Sequence, residues 1–256
     1  MVEEHLPLRS PVVYEVVRQE GENELARPFG SLWWSGVAAG IAILASVLGM
    51  AVLHRDLPER PWRVPVEALG YTLGFVIVVL GRLQLFTENT VTAVLPLLAE
   101  WSRAHVFNTL RLWVTVLGAN LVGTTVTAAL IVHAGLFPAT LLPALLAVAG
   151  DFAAHTPWTA LMLGLPAGFL IATVVWVLPS AAGSELGVIV LLTWLIGAGG
   201  FTHVVVGSGE LAILVLAGDL EVLRALALFA ATLLGNIIGG TGLFALLAWG
   251  QVRAEF

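Results

Sequence analysis

Two of the six apolar segments in this chain are too long for one membrane crossing, and each is interrupted near its middle by a short polar run. A helix needs roughly 20 apolar residues to cross the hydrocarbon core of a bilayer. Residues 33–53, 108–132, 158–178 and 226–249 fit that length as single spans. Residues 66–99 contain Gln84-Leu85-Phe86-Thr87-Glu88-Asn89-Thr90, and residues 185–217 contain Gly199-Gly200-Phe201-Thr202-His203. Exposing the backbone of either break to lipid would cost several kcal/mol for each unsatisfied polar group, so both breaks must face protein or water. The reading is all-α, with six transmembrane helices of which the second and fifth are broken.

Composition supports lipid as the solvent. The chain is 59% hydrophobic and 11% charged, against roughly 45–50% and 25% for soluble domains. A formal net charge of -6 and the absence of clustered basic residues speak against nucleic acid as a partner. All eleven basic residues are arginine, and there is no cysteine. Residues 1–28 are polar and acidic without an apolar core, which is unlike a signal peptide. They read as an N-terminal arm with an amphipathic helix through Val12, Val13, Val16 and Val17, followed by a single six-helix transmembrane domain over residues 29–256. The connection over residues 136–156 is rich in Pro and Leu and has no arginine, which suits the membrane interface. Trp33, Trp34, Trp62, Trp101, Trp158 and Trp249 suit interfacial belts.

The segments repeat. Phe86-Thr87 matches Phe201-Thr202, and Gly118-Ala119-Asn120-Leu121-Val122-Gly123 resembles Leu234-Gly235-Asn236-Ile237-Ile238-Gly239. Two halves of three spans, about residues 29–135 and 150–250, must lie in opposite orientations because three is odd. That is a 3+3 inverted repeat, in which the two breaks meet near the bilayer midplane and line a polar pathway.

Leu85-Phe86-Thr87-Glu88-Asn89-Thr90, Gly200-Phe201-Thr202-His203 and Gly235-Asn236-Ile237-Ile238-Gly239-Gly240, in that order, resemble the formate/nitrite transporter family. The resemblance implies an aquaporin-like six-helix protomer with its own pore and a homopentamer in the inner membrane with both termini cytoplasmic. It also implies transport of small monovalent anions such as formate, nitrite and hydrosulfide, or of their conjugate acids. By position it makes Thr87 the threonine of the first break, His203 the central pore histidine and Asn236 the asparagine of the last span. Tyr71, Phe75 and Ile196 fall where the family places its apolar constrictions. Three departures bear on selectivity. The family's vestibule lysine is absent, with Phe152 beside Asp151 in its place; Thr202 replaces a commonly acidic residue; and Glu88 replaces a small hydroxyl residue.

The residues can also be read without the family. His203 is the one histidine inside an expected span, and its alternatives are a pathway role or a core histidine bonded to a carbonyl. As a neutral imidazole it still donates one hydrogen bond. The Thr87 hydroxyl suits a dehydrated small anion or acid, or a helix cap. Asn120 and Asn236, at equivalent repeat positions, are read first as pins for the broken backbone and second as solute contacts. Arg82 and Glu88 either pair across the first break or leave Glu88 facing the vestibule, and Glu210 faces either the pore or a subunit contact. Arginines divide six to four in favour of cytoplasmic termini, Arg9, Arg18, Arg27, Arg103, Arg111 and Arg253 against Arg55, Arg60, Arg63 and Arg224.

These readings leave a channel or proton-coupled transporter for a small anion, a pore for neutral solutes or of altered charge preference, and a membrane enzyme or assembly factor. The chain has no phosphate-binding loop, no His-Glu-x-x-His, no nucleophile elbow and no lysine, so no catalytic residue, metal or cofactor is expected.

Overall fold

A computed structural model describes residues 8–255 of the protein, and the seven residues of the arm before them lie outside the described set. Helix α1 (Ser10–Ala26) opens with proline in its first turn and stops just before Pro28, whose ring cannot continue it. Its buried face is Val13, Tyr14, Val17 and Leu25, whereas Val12 and Val16 are exposed. The four valines therefore occupy two stripes and not the single face expected of them. The arm is docked: the guanidinium of Arg111 donates to the carbonyl of Leu25 at 2.6 Å.

Next come α2 (Phe29–Ile43) and α3 (Ala45–Asp56), which run on as one apolar helix, Phe29–Asp56. They are followed by α4 (Arg63–Leu80), the short α5 (Asn89–Thr92) and α6 (Leu95–Ala99), and the long α7 (Arg103–His133). The second part of the chain holds α8 (Leu142–Ala153), α9 (Pro157–Val177), α10 (Glu185–Ala198) and α11 (Val204–Ala217). The last helix, α12 (Val222–Ile237), widens into a π-helical stretch, Ile238–Ala245, before α13 (Leu246–Val252). Among the described residues, five helices are long and apolar enough to cross a membrane: Phe29–Asp56, Arg63–Leu80, Arg103–His133, Pro157–Ser180 and Val222–Val252. The helices on either side of the second break, α10 and α11, are apolar and shorter.

The outer surface is as apolar as the inside. On α4, Leu69, Leu73, Ile77 and Leu80 face outward while Tyr71, Phe75 and Val78 are buried. The outward stripe would aggregate in water and is solvated by lipid tails or neighbouring protein. Helix α8, inside the connection expected at the interface, buries Ala144, Leu145, Val148, Ala149 and Phe152 and packs on α3 and α11.

Lipid gives no hydrophobic drive for helices to pair, so small residues and close backbone contact must supply it. Helix α2 lies on α7 and α9 lies on α12. At the first crossing a Cβ on Gly40 would strike the carbonyl of Asn120; at the second, one on Gly168 would strike that of Asn236. Each glycine thus lets a backbone approach the residue that serves the neighbouring break. Gly168→Ala is expected to destabilise the protein by about 1–3 kcal/mol through overpacking. Gly150→Ala, where nothing lies within 4 Å of the added carbon, should stay within about 0.5 kcal/mol of the parent. Unfolding of both variants in detergent, scored against wild type, checks the contrast.

Candidate solute pathway

Both broken helices stop in the same way. At the end of α4, Arg82 N–H donates to Val79 O at 3.2 Å and Leu83 N–H reaches back to Val78 O at 3.0 Å. At the end of α10, Gly200 N–H donates to Gly197 O at 3.1 Å and Phe201 N–H to Ile196 O at 3.0 Å. This Schellman arrangement needs a left-handed residue just past the helix, and Arg82 (φ 53°) and Gly200 (φ 62°) supply it. Glycine takes that conformation freely, whereas a side-chain-bearing residue is strained there by about 1–2 kcal/mol.

Past each cap, one asparagine answers the backbone that the helix has abandoned. Asn120 on α7 donates from Nδ2 to Gly36 O and to Gln84 O, both at 2.8 Å, and its Oδ1 accepts from Phe86 N–H at 3.0 Å. Asn236 on α12 donates to Gly164 O at 3.0 Å and Thr202 O at 2.9 Å, and accepts from Val204 N–H at 2.9 Å. Both carboxamides are fully buried and all their bonds are to backbone. The bonding pattern corrects the sequence match between the breaks. Gln84 stands where Thr202 stands and Phe86 where Val204 does, so the two Phe-Thr pairs are out of register. What recurs is a backbone cap and a carboxamide clamp, neither of which dictates the side chains of the loop.

The two breaks meet at Thr87 and His203. Thr87 Oγ1 lies 2.7 Å from His203 Nε2, and both residues are buried. His203 also caps α11, its Nδ1 accepting from Val206 N–H at 3.3 Å. With Nδ1 an acceptor, the proton of a neutral ring is on Nε2, which therefore donates to Thr87 Oγ1. The hydroxyl hydrogen of Thr87 is then left for another acceptor. Phe75 presses against the imidazole, ring centroids 5.0 Å apart and nearly perpendicular, and Tyr71 packs on Phe75 at 5.3 Å. Ile196 is also fully buried, and Phe86 packs on Trp113. Thr202 donates to Ala160 O at 2.6 Å, while Phe201 is only partly buried.

Two cavities border the breaks. One, of about 620 Å³, is lined by Glu20, Glu24, Arg27, Arg82, Gln84 and Glu88. The other, of about 420 Å³, is lined by Tyr71, Asp151, Phe152, Phe201, His203 and Glu210, together with Glu67 and His155. Phe152 and Asp151 thus share one cavity with His203.

Arg82 and Glu88 do not pair. The Arg82 side chain is 82% exposed and bonds Glu20 of α1 at 2.7 Å, whereas Oε1 of Glu88 is buried with no partner. The left-handed cap turns Arg82 outward to the arm, away from the carboxylate expected to receive it. Sequence reasoning missed the arm's part in the first break. Glu20 and Glu24, one helical turn apart, reach Arg82 and, at 2.9 Å, Gln84 Nε2. Their i, i+4 spacing was visible, but its target depends on how α1 docks.

A family model described as Formate/nitrite transporter matches residues 11–250 of the chain. Inner membrane protein YfdC of Escherichia coli (strain K12) is 41% identical over 254 residues, which is 99% of this chain and 82% of that protein. The Formate channel BtFdhC of Bacillus thuringiensis is 25% identical over 238 residues, 90% of each chain. Two solved structures share the fold. A pentameric formate channel with formate bound superposes with a TM-score of 0.75 at 20% identity, covering 88% of this chain and 98% of that one. An FNT family ion channel gives a TM-score of 0.78 at 17% identity, covering 94% and 98%.

Asn236→Leu would strip three buried backbone groups of their partner. Each such group costs about 1–3 kcal/mol, so the variant is expected to lose several kcal/mol of stability and to unfold in detergent well below wild type. Thr241→Val, in the π-helical stretch that continues α12, removes one bond to Thr90 O and should cost about 1 kcal/mol.

Proposed function

Because the chain belongs to the formate/nitrite transporter family, we propose that it forms a membrane pore for small monovalent anions or their conjugate acids, with Thr87 and His203 as its midplane site. In this reading α10 and α11 act in series as the fifth of six crossings, and the chain is an aquaporin-like 3+3 inverted repeat. The matched helix caps and carboxamide clamps support that symmetry. The likeness to a pentameric formate channel supports a homopentamer with one pathway per protomer. The relative named as an inner membrane protein supports the same location here, and the six-to-four arginine bias supports cytoplasmic termini.

The observation that carries the proposal is the 2.7 Å contact between Thr87 and His203, buried beside the cavity that His203 lines. Among the described residues, no other hydrogen bond joins the two breaks. A solute entering from the cavity that His203 lines meets the free hydrogen of the Thr87 hydroxyl, whose oxygen already accepts from the imidazole N–H. That hydroxyl is a donor that a carboxylate or its acid can accept from. Tyr71, Phe75 and Ile196 line the apolar approach, where a neutral acid is desolvated at far lower cost than its anion. Asn120, Asn236, Phe86 and Thr202 hold the loops that aim Thr87 and His203.

One observation favours a second reading of charge preference. The cavity where the family's lysine would stand has Phe152 and Asp151 there, and its charged lining residues are all acidic. Such a mouth repels anions and favours a solute that arrives neutral. Glu88, lining the other cavity, has the same sign.

Stopped-flow flux through protein in liposomes, comparing formate, nitrite, hydrosulfide, acetate and a neutral solute at acid and neutral pH, tests the proposal. Flux of at least one weak acid, faster at acid pH, is expected, and a protein inert to all of them is not such a pore. His203→Phe should change the rate or its pH profile, an unchanged profile returning the histidine to the core. Phe152→Lys should raise anion flux by restoring a positive mouth.

A further inference from the structure

The 420 Å³ cavity beside His203 differs from its counterpart in having no arginine among its acidic lining residues. The larger cavity sets Arg27 and Arg82 among Glu20, Glu24, Glu88 and Glu185. The smaller has Glu67, Asp151 and Glu210 and no arginine in its lining. Glu67 is already matched, bonded to Arg63 Nε at 2.5 Å and to His54 Nδ1 at 3.2 Å. Two acidic groups remain.

Glu210 is the informative one. It lies on α11 seven residues past His203, is 8% exposed and has no hydrogen-bond or ion-pair partner among the described residues. An ionisable group within a membrane helix is expensive unless something answers it, and the open volume beside it is where a partner would come from. Asp151, exposed and lining the same cavity, adds a second carboxylate without a hydrogen-bond or ion-pair partner among the described residues. Tyr71, Phe152 and Phe201 also line it, among aliphatic and glycine residues and the imidazoles of His155 and His203. Carboxylates set among aromatic faces recognise ammonium groups, the charge through the carboxylate and the alkyl part through the rings. A bare metal ion is a poorer occupant, since no three acidic or imidazole groups among the described residues converge as ligands.

We propose that this cavity binds a small primary ammonium cation, with Glu210 as its charge partner, Asp151 drawing it to the mouth, and Tyr71, Phe152 and Phe201 covering its alkyl part. The ligand is opposite in charge to the anions the family resemblance implies. The site requires only the cavity as it stands, which is also the mouth of the proposed pathway.

Isothermal titration of the purified full-length protein in detergent with methylammonium chloride, against sodium chloride at equal ionic strength, reads the site directly. Wild type is expected to bind saturably with one site per chain. E210Q should weaken binding by about 10- to 100-fold, the loss of one charge-assisted contact, and D151N by about threefold, as for an exposed charge. E185Q, in the other cavity, should bind as wild type does. If E210Q does not assemble by size-exclusion chromatography, F152K serves in its place, because its own ammonium group would occupy the cavity and abolish binding. No saturable binding to wild type overturns the proposal, as does binding retained in E210Q or, where that variant is unavailable for titration, in F152K. Weak-acid flux is measured separately, so a failure here leaves the transport reading intact.

Discussion

A helix that breaks inside a membrane releases backbone N–H and C=O groups where water cannot reach them, and the structure depends on how those groups are answered. Two buried asparagines do most of it. Each carboxamide spans a stretch of loop, taking a carbonyl on one side and an N–H two residues later, and ties both to a carbonyl of a third helix. The same interaction explains the glycines opposite. Gly40 and Gly168 bring α2 and α9 against the backbone of the asparagines themselves, where a side chain would hold the helices apart. Loop geometry and helix packing are thus one constraint, and neither relaxes alone.

With the loops pinned, the contact between Thr87 and His203 follows. The imidazole is doubly specified, because capping α11 with Nδ1 leaves Nε2 to donate toward the threonine. A hydrogen bond that would be worth little in water fixes a tautomer in a dry interior, and the tautomer fixes which donor a solute meets. The proposed pathway therefore rests on a cap and a clamp as much as on the two residues at its centre.

Charge is distributed unevenly around this centre. In one cavity the docked arm supplies acidic residues matched by Arg27 and Arg82. In the other, acidic groups and aromatic rings stand without an arginine in the lining. Such an asymmetry does nothing for the fold, and α11 would be more stable with an apolar residue at Glu210. Its cost is the reason to look for its use in selectivity and binding.

Most of the helices were legible in the sequence, because span length and apolar content are set by bilayer thickness and by the penalty for bare backbone. The breaks, the asparagines and His203 were legible for the same reason: polar residues in a long apolar run must be answered by something. Other features belonged to the tertiary structure. The register between the two breaks was misread from Phe-Thr identity, since backbone caps and carboxamide clamps recur without regard to loop side chains. Arg82 and Glu88, close in sequence and opposite in charge, were drawn apart by a left-handed cap that sends one to the arm and leaves the other buried. Sequence alone determined that the chain must cross a membrane and close its breaks against itself, because backbone polarity is the same at every residue. Which groups meet inside, and which charges face open space, was decided only by docking helices distant in the chain, because short-range distance and direction govern a hydrogen bond and sequence separation does not.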